Sequence, residues 1–214
     1  MNSSEIIRQT SGYVQNRFEN EGSGHDWWHI CRVCRLAKII AASEGGDLFI
    51  IEMAALLHDL DDYKLNHNGS SNLAGEWLAR VIPDDEIAGL ILNAIEQVSF
   101  RGANVGTPAA TIEAKIVQDA DRLDAIGAIG IARAFSYGGS RNRPIYDPDS
   151  LPVMYGNFED YKNNNTATIN HFYEKLLLLK DRMQTKTGLE LALKRHYFLE
   201  EFLKQFFMEW EGKN

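Results

Sequence analysis

Residues 50–62 read IIEMAALLHDLDD. Ile50 to Leu57 is nearly all apolar, which predicts a helix buried on all sides. His58 and Asp59 follow directly, so the polar end of a core-entering helix is partly buried. Burying an imidazole beside a carboxylate is costly unless both are hydrogen-bonded or bind a metal. Asp61 and Asp62 then bring three carboxylates within four residues. Such crowding is self-repulsive, and a divalent cation would relieve it. A solvated helix terminus is the plainer alternative at this point.

Helical periodicity extends in both directions. Ile30, Val33, Ala37 and Ile40 recur at three- and four-residue steps, and Gly45-Gly46 supplies a stop. Asp84 can cap a helix whose inner face is Ile87, Leu90, Ile91, Ala94, Ile95 and Val98. Thr111 can cap the next, with Ile116, Val117, Ala120, Leu123 and Ile131 on its apolar face. Toward the C-terminus, Ile169–Met183 carries the run Leu176–Leu179. A stripe from Leu189 through Ala192, Leu199, Leu203 and Phe206 to Trp210 marks a final helix. No period-2 strand and no internal repeat stands out, so the expected fold is all-α.

Two further clusters carry chemistry. His29, on what reads as the first helix, sits among Trp27, Trp28 and Ile30, just after Gly24-His25-Asp26. An imidazole is a common metal ligand, though beside tryptophans it is more often a satisfied core residue. Asp119, Asp121 and Asp124 lie among Ala120, Leu123, Ala125 and Ile126. Asp121 and Asp124 fall about 60° apart on one helix face, a costly pairing without a cation. Gly127 and Gly130 would let another helix or a ligand approach closely.

Composition narrows the classes. The 214 residues include 22 Lys plus Arg against 30 Asp plus Glu, a net charge of −8, which argues against duplex nucleic acid as the main partner. No apolar stretch approaches the roughly 18 residues of a membrane span, and the first residues carry Glu5, Arg8, Arg17 and Glu19 rather than an apolar leader. With two cysteines, Cys31 and Cys34, no disulfide framework is expected, and the reading is a cytoplasmic protein. The Cys-x-x-Cys pair lies inside a helix with no preceding strand, so both read as small core residues. Neither a P-loop nor a GxGxxG string is present.

Residues 136–165 stand apart as a long loop. They hold Pro144, Pro148 and Pro152, Gly138-Gly139, Arg141, Arg143 and an Asn163–Asn165 run. Such a loop inside a compact domain is either functional or disordered. Its aromatics, Tyr137, Tyr146, Tyr155, Phe158 and Tyr161, argue that part of it packs down.

The strings GHDWWHICRV, AALLHDLDD and QDADRLDAIGAIGIARAF together resemble the HD superfamily of metal-dependent phosphohydrolases. HFYEKLLLLKDRMQTKTG and ALKRHYFLEEFLKQF are similar to a subgroup of small bacterial HD hydrolases that act as nucleoside triphosphate pyrophosphohydrolases. The likeness covers about residues 20–210. It implies one 214-residue all-α domain, with residues 166–214 packing on the core. It also implies His29, His58, Asp59 and Asp121 as ligands of one divalent metal (Mn, Mg, Fe, Ni or Zn). ADRL, which also resembles the ligand segment of (p)ppGpp hydrolases, selects Asp121. Asp62, four residues past His58, matches their catalytic acid and would orient or deprotonate the attacking water.

Lys64, Arg122, Asp124, His171 and Lys175 are the expected substrate-side groups. His171 and Lys175 would lie one above the other on a helix. Arg195 fits the same description, and Arg141 and Arg143 could close over phosphates. Binuclear members add histidines between the HD pair and the last Asp; only His67 lies there, so one metal is expected. The implied substrate is a small nucleotide, most directly an NTP or dNTP yielding monophosphate and pyrophosphate. A nucleotide monophosphatase, a (p)ppGpp-type hydrolase and a non-catalytic nucleotide sensor are the alternatives, and a homodimer is left open.

Overall fold

The structure is a computed structural model that describes residues 2–19, 24, 26–61, 72–100, 102–157, 159 and 166–213. All regular structure among these residues is helical. In chain order the helices are α1 (Ser3–Phe18), α2 (Trp27–Glu44), α3 (Leu48–Leu57), α4 (Leu73–Val81), α5 (Asp85–Glu96), α6 (Ile112–Asp124) and α7 (Gly127–Ser140). After them come α8 (Thr168–Glu174), two 3₁₀ turns (Leu176–Leu178 and Lys180–Arg182) and α9 (Lys186–Trp210). None of the described helices is long and apolar enough to cross a membrane.

The chain divides into two compact units. One comprises residues 1–100 and 107–121, the other residues 101–106 and 122–214. The boundary falls inside α6, between Asp121 and Arg122.

In the first unit α3 is the central element and packs against α1, α2 and α5. Seven of its ten residues are buried, as the apolar run demands. Asp47 caps it by accepting from Phe49 and Ile50 N–H. α2 buries Ile30, Val33, Ala37 and Ile40 completely, and ends where Gly45 takes φ +83°. Asp84 caps α5, accepting from Glu86 and Ile87 N–H. The inner face of α5 is narrower than its sequence suggests. Ile91 and Ala94 are buried, as is Val98 just past the helix end, but Leu90 is 44% exposed. Thr111 Oγ1 accepts from Ala114 N–H and opens α6. α1 escapes the apolar periodicity because only Ile6, Thr10, Val14 and Phe18 are buried on it. It makes α2, not the first helix, the carrier of His29.

In the second unit α9 packs along α7, and Phe135, Phe172, Phe202 and Phe206 meet ring to ring. Three expectations are corrected here. Ile131 does not extend α6: that helix ends at Asp124, and Gly127 takes φ +76° before α7 begins. The loop expected from residue 136 starts only after Ser140. α7 runs through Gly138 because that glycine lies against Thr168, where a Cβ would fall 2.2 Å from Oγ1. Ile169–Met183 is not one helix, since Lys175 leaves helical geometry at φ −142° and two 3₁₀ turns follow.

The described part of the loop is tied down. Thr168 and Ile169 N–H donate to Pro144 and Ile145 O, Asn170 Nδ2 to Ser150 O, and Val153 N–H to the buried Glu174 carboxylate. Arg182 gathers the carbonyls of Gly102, Ala103 and Val105, which places residues 101–106 in this unit.

Candidate metal centre

Three helices of the first unit bring four side chains together. Asp26 caps α2, its carboxylate accepting from His29 N–H at 2.7 Å, and this fixes His29 in the first turn with no solvent exposure. His58 ends α3. Its Nδ1 lies 2.9 Å from Ala55 O, in the preceding turn. Nδ1–H donates to that carbonyl, so Nε2 is the bare nitrogen, the tautomer a metal ligand needs. Asp59 follows, 5% exposed, and Asp121 comes from the last turns of α6.

The distances converge. His29 Nε2 lies 3.3 Å from Asp59 Oδ2 and 3.6 Å from Asp121 Oδ1. His58 Nε2 lies 3.4 Å from Asp59 Oδ1 and 3.9 Å from Asp121 Oδ1. The donor atoms of His29, His58 and Asp121 all fall within 4.8 Å of one another. Ligands each held about 2.1 Å from one cation are separated by about 3–4 Å, the range seen here. His58 Nε2 is buried and makes no hydrogen bond. Leaving a buried nitrogen in that state costs about 1–3 kcal/mol unless something else satisfies it. Two imidazole nitrogens and two carboxylates suit a divalent cation of borderline to hard character. The residues fit the metal that the sequence implies.

The other sequence-derived residues divide. Asp61 belongs to the acidic cluster but serves as a helix cap. Its oxygens accept from Leu73 and Ala74 N–H at 2.8 and 3.0 Å, at the start of α4, where Asn72 provides no side-chain cap. A carboxylate at a helix N-terminus is stabilised by free N–H groups and the helix dipole, so Asp61 needs no cation. Asp62, Lys64, His67 and His25 lie outside the described residues. Asp119 is fully buried on α6.

Arg122 and Asp124, expected on the substrate side, are 2% and 1% exposed in the second unit. Arg122 Nη1 donates to Arg182 O, and Asp124 Oδ2 accepts from Arg133 Nη1 at 2.9 Å. Arg195 Nη1 donates to Leu123 O, and its stem fills the space beside Gly127, where a Cβ would fall 3.1 Å away. The close approach that this glycine permits is therefore taken by another helix. Burial pushes the Arg195 guanidinium below its usual range, and the nearby Asp124 charge opposes the shift. His171 and Lys175 are half-buried, but Lys175 has left helical geometry, so the two do not stack as helical neighbours. Arg141 and Arg143 lie over the Tyr137 ring at 5.4 and 5.5 Å. Cys31 and Cys34 lie within α2, as their spacing implied, and burial pushes the Cys34 thiol up to about 12.

Comparison with known proteins points the same way. The family model described as HD domain matches residues 27–126, which spans His29, His58, Asp59 and Asp121. The protein YpgQ of Bacillus subtilis (strain 168) is 40% identical over 200 residues, 92% of this chain and 90% of that protein. The crystal structure of YpgQ in complex with ADP superposes with a TM-score of 0.74 at 39% identity, covering 94% of this chain and 95% of that one. A structure described as an HD-superfamily hydrolase from Bacillus thuringiensis has a TM-score of 0.75 at 40% identity, covering 99% and 100%. A protein from Lactobacillus plantarum has a TM-score of 0.87 at 35% identity, and the match covers all of both chains.

Proposed function

Because this chain belongs to the HD domain family and is a metal-dependent hydrolase, we propose that it cleaves a phosphoanhydride bond of a nucleotide. The reaction proposed is (d)NTP plus water giving (d)NMP and pyrophosphate. The observation that carries metal-dependent hydrolysis is the bare, buried Nε2 of His58, converging with His29, Asp59 and Asp121. The nucleotide is supported by YpgQ, whose structure is in complex with ADP.

His29, His58, Asp59 and Asp121 would hold one divalent cation, which when bound supplies a Lewis acid that acidifies water and offsets charge on phosphate oxygens. The chain's own residues do the rest. Ala55 O keeps the proton on His58 Nδ1, so the neutral ring presents its lone pair at Nε2. Asp26 fixes the first turn of α2 and with it the His29 backbone. Asp62, three residues past Asp59, is proposed to take the proton from the attacking water as the α–β bond breaks and pyrophosphate leaves. A net charge of −8 is compatible with this anionic substrate because the cation and nearby basic groups set the local field. A cytoplasmic site of action fits a nucleotide substrate.

The test is a panel of each NTP and dNTP with metal-loaded protein, with pyrophosphate and orthophosphate detected separately. Pyrophosphate without a diphosphate intermediate supports the reading. Orthophosphate alone, with monophosphates as better substrates, overturns it in favour of a phosphatase.

A further inference from the structure

Around α2, the metal ligand is followed by a guanidinium and then by an indole. At about 100° per residue, Arg32 lies about 60° around the axis from His29, one turn along, and Trp28 about 40° further. Trp28 is 65% exposed. The other indoles have local roles or less exposure. Trp77 stacks on Tyr13 at 4.0 Å and donates to Thr10, Trp210 meets Tyr146 and Phe206, and Trp27 is half-buried. Among the described residues the Trp28 side chain has no hydrogen bond or ring contact, so its flat face adds little to folding.

The charge on this helix is also uneven. Arg32, Arg35 and Lys38 stand against a single acid of the same helix, Glu44, although Lys38 is paired with Glu52 of α3 at 2.7 Å. Trp28 and Arg32 therefore lie on the same side of α2 as seen from His29, about 6 Å apart along its axis, so the metal ligand has an exposed aromatic plane before it along the axis and a guanidinium after it. A nucleotide offers matching groups: phosphates for the cation and the guanidinium, and a flat base for the indole.

We propose that Trp28 is the platform on which the base of the bound nucleotide stacks, which makes it a specificity-determining residue rather than a catalytic one. The inference rests on the nucleotide reading above. Stacking on an aromatic face tolerates any base, since every base has a π-face, so Trp28 distinguishes nucleotides from base-free polyphosphates more than one base from another.

The experiment titrates ADP and inorganic pyrophosphate separately into Mn²⁺-loaded protein by calorimetry, with indole fluorescence followed in parallel. Trp28→Ala should weaken ADP binding about 10-fold and leave pyrophosphate binding unchanged. Trp28→Phe should retain most of the ADP affinity but lose the fluorescence quench that ADP causes in the wild type. Equal ADP affinity in wild type and Trp28→Ala overturns the inference alone. An equal loss of ADP and pyrophosphate also overturns it, because the substitution would then have acted through the metal site. A wild-type protein that binds pyrophosphate but not ADP overturns both the inference and the nucleotide reading.

Discussion

Asp121 and Asp124 lie one turn apart on α6, and their surroundings differ in kind. Asp121 has a side chain 26% exposed, set between two imidazole nitrogens that also face Asp59. Asp124 has a side chain 2% exposed and ends in an ion pair with Arg133. At Asp124 the chain supplies the counter-charge itself, from α7. At Asp121 the facing groups are the Nε2 atoms of His29 and His58 and, beyond them, a second carboxylate, an arrangement that suits a cation from solution. Two carboxylates in one apolar helix are expensive without compensation, and this molecule surrounds them in two different ways.

The largest effect that could break this contrast comes from the imidazoles. His58→Ala removes a donor whose tautomer is set by Ala55 O. Hydrolysis should fall at least 10³-fold, read as kcat/KM, with the helical circular dichroism unchanged. Retained activity would mean that the cluster is not the reaction centre. Asp62→Asn comes next. It should keep full metal content and lower kcat by about 10²-fold, the scale of a lost general base; a kcat near wild type would remove Asp62 from the mechanism.

Arg133→Ala probes the other carboxylate. Removing the Arg133 ion pair from the buried Asp124 should cost about 3 kcal/mol and lower Tm by about 6–12 °C, with metal affinity little changed. A large loss of metal with an unchanged Tm would merge the two regions into one. The smallest effect concerns Cys34 on α2. Its thiol is raised from an ordinary 9.0 to about 12, first by burial and next by the neighbouring Cys31. The folded state holds this proton more tightly than the unfolded state. The associated stability is intact below about pH 9 and is withdrawn as pH rises toward 12. At pH 8 the thiol should react with iodoacetamide about 10³-fold more slowly than a free thiol. Fast labelling would reopen sulfur as a metal donor.

Much of this was legible in the sequence because burial and chemistry left separate marks. The run Ile50–Leu57 announced a core helix, and the HD pair at its end announced a polar group carried into that core. The caps Asp84 and Thr111 and the stop at Gly45 act locally and read correctly. What could not be read depended on partners distant in sequence. Asp61 read as part of a self-repulsive acidic cluster, whereas its carboxylate accepts from Leu73 and Ala74 N–H. Arg122 and Asp124 read as substrate-side groups, and no local signal showed that Arg182 O and Arg133 would lie beside them. Helix spacing put Lys175 above His171, but no local signal showed that the helix stops at Glu174. Gly138-Gly139 read as a loop because the residue that needs the missing Cβ, Thr168, is thirty positions away.

The central claim is that Asp121, with His29, His58 and Asp59, holds a divalent cation, whereas Asp124 does not. Metal content by mass spectrometry after loading with Mn²⁺ and desalting tests it directly, on the wild type, Asp121→Ala and Asp124→Ala in parallel. The account predicts about one equivalent in the wild type and in Asp124→Ala, and none in Asp121→Ala. Metal retained by Asp121→Ala and lost from Asp124→Ala would contradict it.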